Sequence, residues 1–116
     1  MSNFKLEVYK LVKQIPKGNV ATYGQVANKL KMENGKWKIS PRSVGFILHQ
    51  NKSADVPCHR VVDRNGRIAK NFAFGGAKEQ RNRLLAEGVV FADNMHVNLA
   101  KSLWQRNSKH EIQNAK

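Results

Sequence analysis

Cysteine is nearly absent from this 116-residue chain, which has Cys58 alone, and acidic residues are scarce, 8 Asp and Glu against 21 Lys and Arg. A single thiol excludes an internal disulfide and any structural zinc site built from several cysteines, and it fits a reducing compartment. Long apolar runs are missing too. The start Met1-Ser2-Asn3-Phe4-Lys5 lacks the apolar core of a signal peptide, and no stretch is long enough to cross a bilayer. No internal repeat or linker divides the chain, and its length fits one domain able to bury a core without staples. These absences point to a soluble intracellular protein. A single folded unit over residues 1–104 and a polar, flexible tail over 105–116 are expected.

What is abundant is positive charge. A formal net charge of +13 argues for an anionic partner through counterion release and electrostatic steering, with nucleic acid first among the candidates. The charge is spread along the sequence rather than packed into one tail. A membrane-surface role would need a basic amphipathic helix with large exposed apolar residues, and none stands out.

Periodicity gives a mainly helical plan. Phe4, Val8, Leu11, Val12 and Ile15 recur at helical spacing, predicting a first helix over residues 3–15 that stops before Pro16-Lys17-Gly18. Thr22 with Gln25 three residues on has the form of a capping box for a second helix, whose buried face is Val26, Ala27 and Leu30. Residues 31–39 have turn character and no clean period. Ser40 and Pro41 then mark the start of a third helix that runs to about Gln50, so the two helices resemble a helix-turn-helix unit. Arg60-Val61-Val62 has strand character, and Asn65-Gly66 predicts a hairpin turn that would form a wing. A fourth helix is expected from Ala77 to Ala86 with Leu84 and Leu85 facing inward and Gly88 as its stop. Val89-Val90-Phe91 is expected to pair with Val97-Asn98-Leu99. The fold class read from this order is mainly α, a winged helix-turn-helix domain with a short β-hairpin.

The chemistry centres on Val56-Pro57-Cys58-His59-Arg60-Val61-Val62. A thiol becomes a strong nucleophile only as thiolate, which a neighbouring base or cation favours, and His59 and Arg60 follow directly. Adjacent residues need not face one another, and a third group would be required to orient the imidazole. Taken locally, Cys58 is either a small buried hydrophobe or a reactive group, and an arbitrary Cys-His pair is more often the former.

The wider pattern shifts that balance. Pro57-Cys58-His59-Arg60-Val61-Val62 resembles the active-site motif of the O6-alkylguanine-DNA alkyltransferases, the methylated-DNA-protein-cysteine methyltransferases. Ile15-Pro16-Lys17-Gly18-Asn19-Val20-Ala21-Thr22-Tyr23-Gly24-Gln25-Val26-Ala27 resembles that family's entry into its helix-turn-helix. Pro41-Arg42-Ser43-Val44-Gly45 is similar to the start of its recognition helix, and Gly75-Gly76 with Leu84-Leu85-Ala86-Glu87-Gly88 to its closing helix. The resemblance covers residues 4–91 in order.

The resemblance implies a set of roles. Cys58 matches the acceptor that attacks the alkyl carbon on guanine O6 and keeps the group as a thioether. His59 matches the base that takes the thiol proton through a water, and Glu87 the carboxylate that holds that histidine. Tyr23 matches the tyrosine that rotates the phosphate and donates a proton to the departing purine, and Arg42 the arginine that fills the vacated base stack after flipping from the minor groove. DNA contacts are implied for Tyr23, Arg42, Ser43, Gly45 and Arg60, and a brace between recognition helix and active site for Asn51. The implied partner is double-stranded DNA containing O6-alkylguanine, met by a monomer with no cofactor, no metal and no membrane.

Three departures accompany the match. Full-length family members carry a further N-terminal domain, whereas this chain starts at the DNA-binding part. The Tyr23 to Arg42 loop is longer than usual, and Phe46 follows Gly45 where a small residue would ease approach to the groove. Asn71-Phe72-Ala73-Phe74 stands where many transferases have Tyr or Ser near the alkyl pocket.

Two further readings stay open. Alkyltransferase-like proteins are short and basic, bind O6-alkylguanine without repairing it, and flag it to nucleotide excision repair proteins, usually with tryptophan at the Cys58 position. Asn98-Leu99 and Trp104 are similar to their tail. The complete Cys58, His59 and Glu87 set favours the transferase over such a binder. A winged-helix regulator with an inert thiol would explain the charge and leave the Pro-Cys-His-Arg segment unexplained.

Overall fold

The computed structural model describes residues 2–33, 35 and 38–105. Helix α1, Ser2–Val12, is shorter than expected. The chain leaves it through tighter bonds, with the Gln14 and Ile15 N–H groups donating to the Leu11 and Val12 carbonyls at 3.0 and 3.1 Å. Ile15 is still fully buried.

Strand β1, Ala21–Thr22, runs directly into α2, Tyr23–Glu33. The capping box forms as expected: the Gln25 N–H donates to Thr22 Oγ1 at 3.0 Å, and the Thr22 N–H donates to Gln25 Oε1 at 3.2 Å. Val26, Ala27 and Leu30 are its buried face. Helix α3, Pro41–His49, starts from Ser40 in a second capping box, in which Ser43 supplies the reciprocal side chain. It buries Val44, Ile47 and Leu48, and α1, α2 and α3 pack on one another.

A single 3₁₀ turn, Cys58–Arg60, then enters strand β2, Val61–Val62. Here the structure departs from the expected wing. The Asn65-Gly66 turn exists, and the Asp63 N–H reaches the Arg67 carbonyl at 3.1 Å, but its two arms then part. Strand β2 pairs instead with β1, in parallel, Ala21 opposite Val61 and Thr22 opposite Val62. Beyond the turn, Arg67 bridges His96 and the Ile68 N–H donates to the Met95 carbonyl at 3.0 Å. Gly66 explains the choice: at φ +86° it lies so close to the 95–98 segment that a Cβ there would sit 2.4 Å from the Val97 carbonyl oxygen.

Helix α4, Gly76–Ala86, ends at Glu87 with Gly88 at φ +88° beyond it, the expected glycine stop. Leu84 is fully buried, whereas Leu85 is 44% exposed against the expectation that both face inward. The inward row of α4 is Gln80 and Leu84, one turn apart, and Leu85 falls a third of a turn away from it. Phe91 meets Val97 in an antiparallel bridge as expected. A short helix not anticipated from sequence, α5, Leu99–Ser102, follows and returns the chain to the centre. There the Val20 N–H donates to Ser102 O at 2.9 Å and the Trp104 N–H to Val20 O at 2.7 Å. The expected tail lies outside the described residues from 106 onward.

The two-stranded sheet divides two cores. Ala21 and Val61 face a cluster formed with α1, α2 and α3, while Val20 and Val62 face Ile68, Leu84, Val89 and Val97. The turn carrying Cys58 therefore sits where both cores meet. Among the described residues no helix is long and apolar enough to cross a membrane.

Candidate active site

Cys58 owes its position to three backbone devices. Pro57 precedes the turn, the Cys58 N–H donates to Val56 O at 2.7 Å, and the Val61 N–H closes the turn onto Cys58 O. The sulfur lies at the edge of the larger core, with Cys58 7% exposed. Asn51, the second residue beyond α3, is also buried. Its Nδ2 donates to Ser53 O at 2.9 Å and to Cys58 Sγ at 3.7 Å, while the Ser53 N–H donates to its Oδ1 at 3.0 Å. One amide thus joins the end of α3 to the thiol.

Burial pushes the Cys58 thiol up from its ordinary value, opposed by the Asn51 hydrogen bond, a backbone hydrogen bond and the nearby Arg83 charge. At neutral pH the resting group is a thiol.

His59 follows on the same turn, and its Nε2 lies 2.9 Å from Glu87 Oε2. Arg60 grips the same carboxylate with Nε to Oε1 at 2.9 Å and Nη2 to Oε2 at 2.8 Å, and its Nη1 donates to Ile15 O at 2.8 Å. Burial alone would raise Glu87, but the hydrogen bonds from Arg60 and His59 outweigh it and hold the carboxyl below its ordinary value. An ionised carboxylate only accepts, so the Nε2 atom of His59 carries the shared proton and Nδ1 is left with its lone pair. Burial lowers the imidazole, with Glu87 opposing, so the neutral form prevails at pH 7. Glu87 stands at the C-terminal end of α4, where the helix dipole disfavours an anion, and Arg60 offsets that charge. The Arg60 guanidinium is therefore engaged within the protein, on Glu87 and Ile15 O, whereas the resemblance implies a DNA contact for it.

Tyr23 begins α2, half-buried, with its ring against Gly45: a Cβ on that glycine would lie 3.7 Å from it. Burial raises the Tyr23 hydroxyl, helped by the negative field of Asp63, so the phenol keeps its proton. Tyr23, Gly45, Leu48, Phe72 and Gln80 line a cavity of about 40 Å³ that opens beside Cys58. Arg42 is exposed in the first turn of α3, and Phe46, 65% exposed, and His49 continue its row at helical spacing. The Ser43 hydroxyl is engaged with Ser40, donating to its carbonyl at 2.9 Å. The cluster thus joins Cys58, His59, Glu87, Arg60, Asn51, Tyr23 and Gly45, with Arg42 and Ser43 on the outer face of α3.

Two contributors were not picked out in the sequence. Gln80 is fully buried: its Nε2 donates to His59 O at 3.0 Å and Val61 O at 3.2 Å, and its Oε1 accepts from the Ala69 N–H at 2.7 Å. It ties the middle of the Cys58–Arg60 turn and the start of β2 to α4. The signal was its spacing, four residues before Leu84 on one helical face. Arg83 is the other, lying over the Phe72 and Phe74 rings. Among the described residues no group of three or more His, Cys, Asp or Glu could hold a metal ion.

This arrangement has clear counterparts. Residues 3–89 match the family described as 6-O-methylguanine DNA methyltransferase, DNA binding domain. Alkyltransferase-like protein 1 of Schizosaccharomyces pombe is 33% identical, over 90% of this chain and 97% of the relative. A methylated-DNA-protein-cysteine methyltransferase of Saccharolobus islandicus is 40% identical over 74% of this chain, which spans only 51% of that protein. In three dimensions, S. pombe Atl1 in complex with damaged DNA containing O6-carboxymethylguanine superposes with a TM-score of 0.71 at 33% identity, covering 90% of this chain and 97% of that one. The Mycobacterium tuberculosis O6-methylguanine methyltransferase gives 0.61 at 29% identity, covering 74% of this chain and 48% of that one. Since the match runs from α1 through the turn bearing Cys58 to the glycine stop after Glu87, the chain belongs to the 6-O-methylguanine DNA methyltransferase DNA-binding domain family.

Proposed function

We propose that this protein binds double-stranded DNA containing O6-alkylguanine and transfers the alkyl group irreversibly to Cys58. The observation that carries the reading is a pair of supported neighbours on one turn: Cys58, whose thiol meets Asn51 at 3.7 Å, and His59, held by an ionised Glu87 at 2.9 Å. A thiol with an oriented neutral imidazole on the next residue is the combination that acyl- and alkyl-transfer nucleophiles need.

In this scheme the outer face of α3 lies in the minor groove, with Arg42 entering the stack as the damaged base turns out. The Cys58 proton passes to His59 Nδ1, directly or through a water. Sγ then attacks the alkyl carbon, and the S–C bond forms as the C–O6 bond breaks. The electron pair of the broken bond leaves with the guanine, which takes a proton from the Tyr23 hydroxyl and is released as ordinary guanine. The proton on His59 restores Tyr23 through solvent, and the thioether remains. Each molecule acts once.

Burial keeps the resting thiol protonated, so the proton must move as the lesion enters the pocket. That same burial favours a second reading, recognition without transfer, as does the span of the S. pombe alkyltransferase-like relative that this chain covers, 97%. Under that reading the protein marks the lesion for excision-repair proteins. Nucleoside analysis of the DNA separates the two. Incubating a duplex bearing one O6-methylguanine with one equivalent of protein is expected to convert up to one lesion per protein to guanine, with Cys58→Ser inactive. Intact lesion in a tight complex supports recognition alone.

A further inference from the structure

One cation stands over the aromatic wall of the Cys58 cavity. Asn71, Phe72 and Ala73 line the cavity, and Phe72 is 7% exposed. The Phe72 and Phe74 rings lie 5.8 Å apart at a tilt of 55°, and the Arg83 guanidinium carbon stands 5.3 Å from one centroid and 5.4 Å from the other. Both distances fall within the range, about 6 Å, in which a cation is drawn to a ring face. Glu79, one turn earlier on α4, fixes the guanidinium with a 2.8 Å bond to Nε. The segment ends in Gly75 at φ +128° and Gly76 at φ +83°, whose N–H groups both return to Phe72 O, at 3.3 and 2.9 Å. Glycine pairs in this conformation allow a segment to swing without side-chain strain.

The cavity is small, about 40 Å³, and Phe72 forms part of its wall, so the position of that ring sets how much space an alkyl group finds beside Cys58. A bulkier group needs the ring to withdraw. Withdrawal pulls the ring from beneath Arg83.

We propose that Arg83 is a specificity-determining clamp, setting by its hold on Phe72 and Phe74 how large an O6-alkyl group the Cys58 pocket admits. Arg83 is a positioning residue that acts through the two rings, and the clamp rests on the lesion-binding reading given above. Its positive field also favours the Cys58 thiolate, so the residue that narrows the pocket favours the nucleophile within it.

The test compares duplexes carrying O6-methylguanine and O6-benzylguanine, reading both lesion affinity and the transfer rate constant for wild type, Arg83→Met and Arg83→Lys. Arg83→Met keeps the length of the side chain and removes the cation. It is expected to raise the benzyl-to-methyl ratio about fivefold, with Arg83→Lys restoring most of the wild-type ratio. Thermal midpoints are measured alongside, because a loosened fold would lower both lesions together and leave the ratio unmoved. An unchanged ratio in a folded Arg83→Met protein overturns the clamp. If wild type binds lesions without transferring them, the transfer reading fails while the affinity ratio still decides the clamp; if wild type ignores lesions altogether, both fall.

Discussion

Replacing Arg60 by Met separates two incompatible roles for that side chain. In the structure Arg60 makes two bonds to Glu87 and one to Ile15 O, all between 2.8 and 2.9 Å, with side-chain exposures of 12% for Arg60 and 14% for Glu87. Charge-assisted hydrogen bonds contribute roughly 1.5–3 kcal/mol each. Partial exposure and the packing that a Met stem retains reduce the sum, so Arg60→Met should cost about 2–4 kcal/mol. At roughly 4 °C per kcal/mol for a domain of this size, the thermal midpoint should fall by about 8–15 °C. The variant should also raise the His59 pKa, because the Arg60 charge now lowers it. Circular dichroism melting, imidazole NMR titration and duplex binding over a range of salt are the assays. An arginine on a phosphate would behave differently: its loss would flatten the salt slope by about 0.9 while leaving stability nearly intact. That outcome would refute the internal role assigned here.

Gln80→Leu should cost about 3–5 kcal/mol in urea unfolding, because it leaves the Ala69 N–H and the His59 and Val61 carbonyls without their partner in a fully buried site; a loss under ~1 kcal/mol would show that the turn does not depend on it. Gly66→Ala and Gly76→Ala share a positive φ, +86° and +83°, yet only the first puts a Cβ 2.4 Å from a backbone oxygen, so chemical denaturation should show about 3 kcal/mol lost for Gly66 and about 1 for Gly76. Equal losses would contradict the packing of the Asn65-Gly66 turn. For pH, His59 and Glu87 both have lowered folded values, so the unfolded chain binds more protons in acid. Stability should be complete above about pH 6.5 and fall as pH drops through the ordinary His value and then the ordinary Glu value, with the His59 phase missing in His59→Gln. The Cys58 shift has the opposite sign: its folded value is raised, so its contribution is present below the ordinary thiol value and is lost as pH rises through the folded one, and iodoacetamide labelling should have an apparent midpoint above about 8.5.

Local hydrogen bonding was legible in the sequence because neighbours in the chain spell it. Thr22 with Gln25, Ser40 with Pro41, and Gly88 after Leu84 each name a helix end within four residues, and each forms. Pairing across the chain was not. Arg60-Val61-Val62 reads as a strand whichever partner it takes, and the parallel match to Ala21–Thr22 is settled by the packing of α1 to α3, forty residues away. Polar side chains that turn inward were hidden for the same reason. Nothing near Gln80 says that three backbone groups await it, and nothing near Arg60 says that Glu87, 27 residues later, will take its guanidinium. Leu85 was misread because Leu84-Leu85 gives α4 two apolar residues where its narrow inner row has room for one.

The central claim is that Cys58 is an alkyl acceptor rather than a bystander to lesion recognition. Mass spectrometry of the intact protein after mixing with duplex O6-methylguanine tests it most directly. A gain of about one methylene, ~14 Da, confined to the peptide containing Cys58 and reaching one equivalent, is the predicted result for a thiol nucleophile that keeps the group. Saturated lesion binding with the Cys58 peptide at its original mass would contradict it.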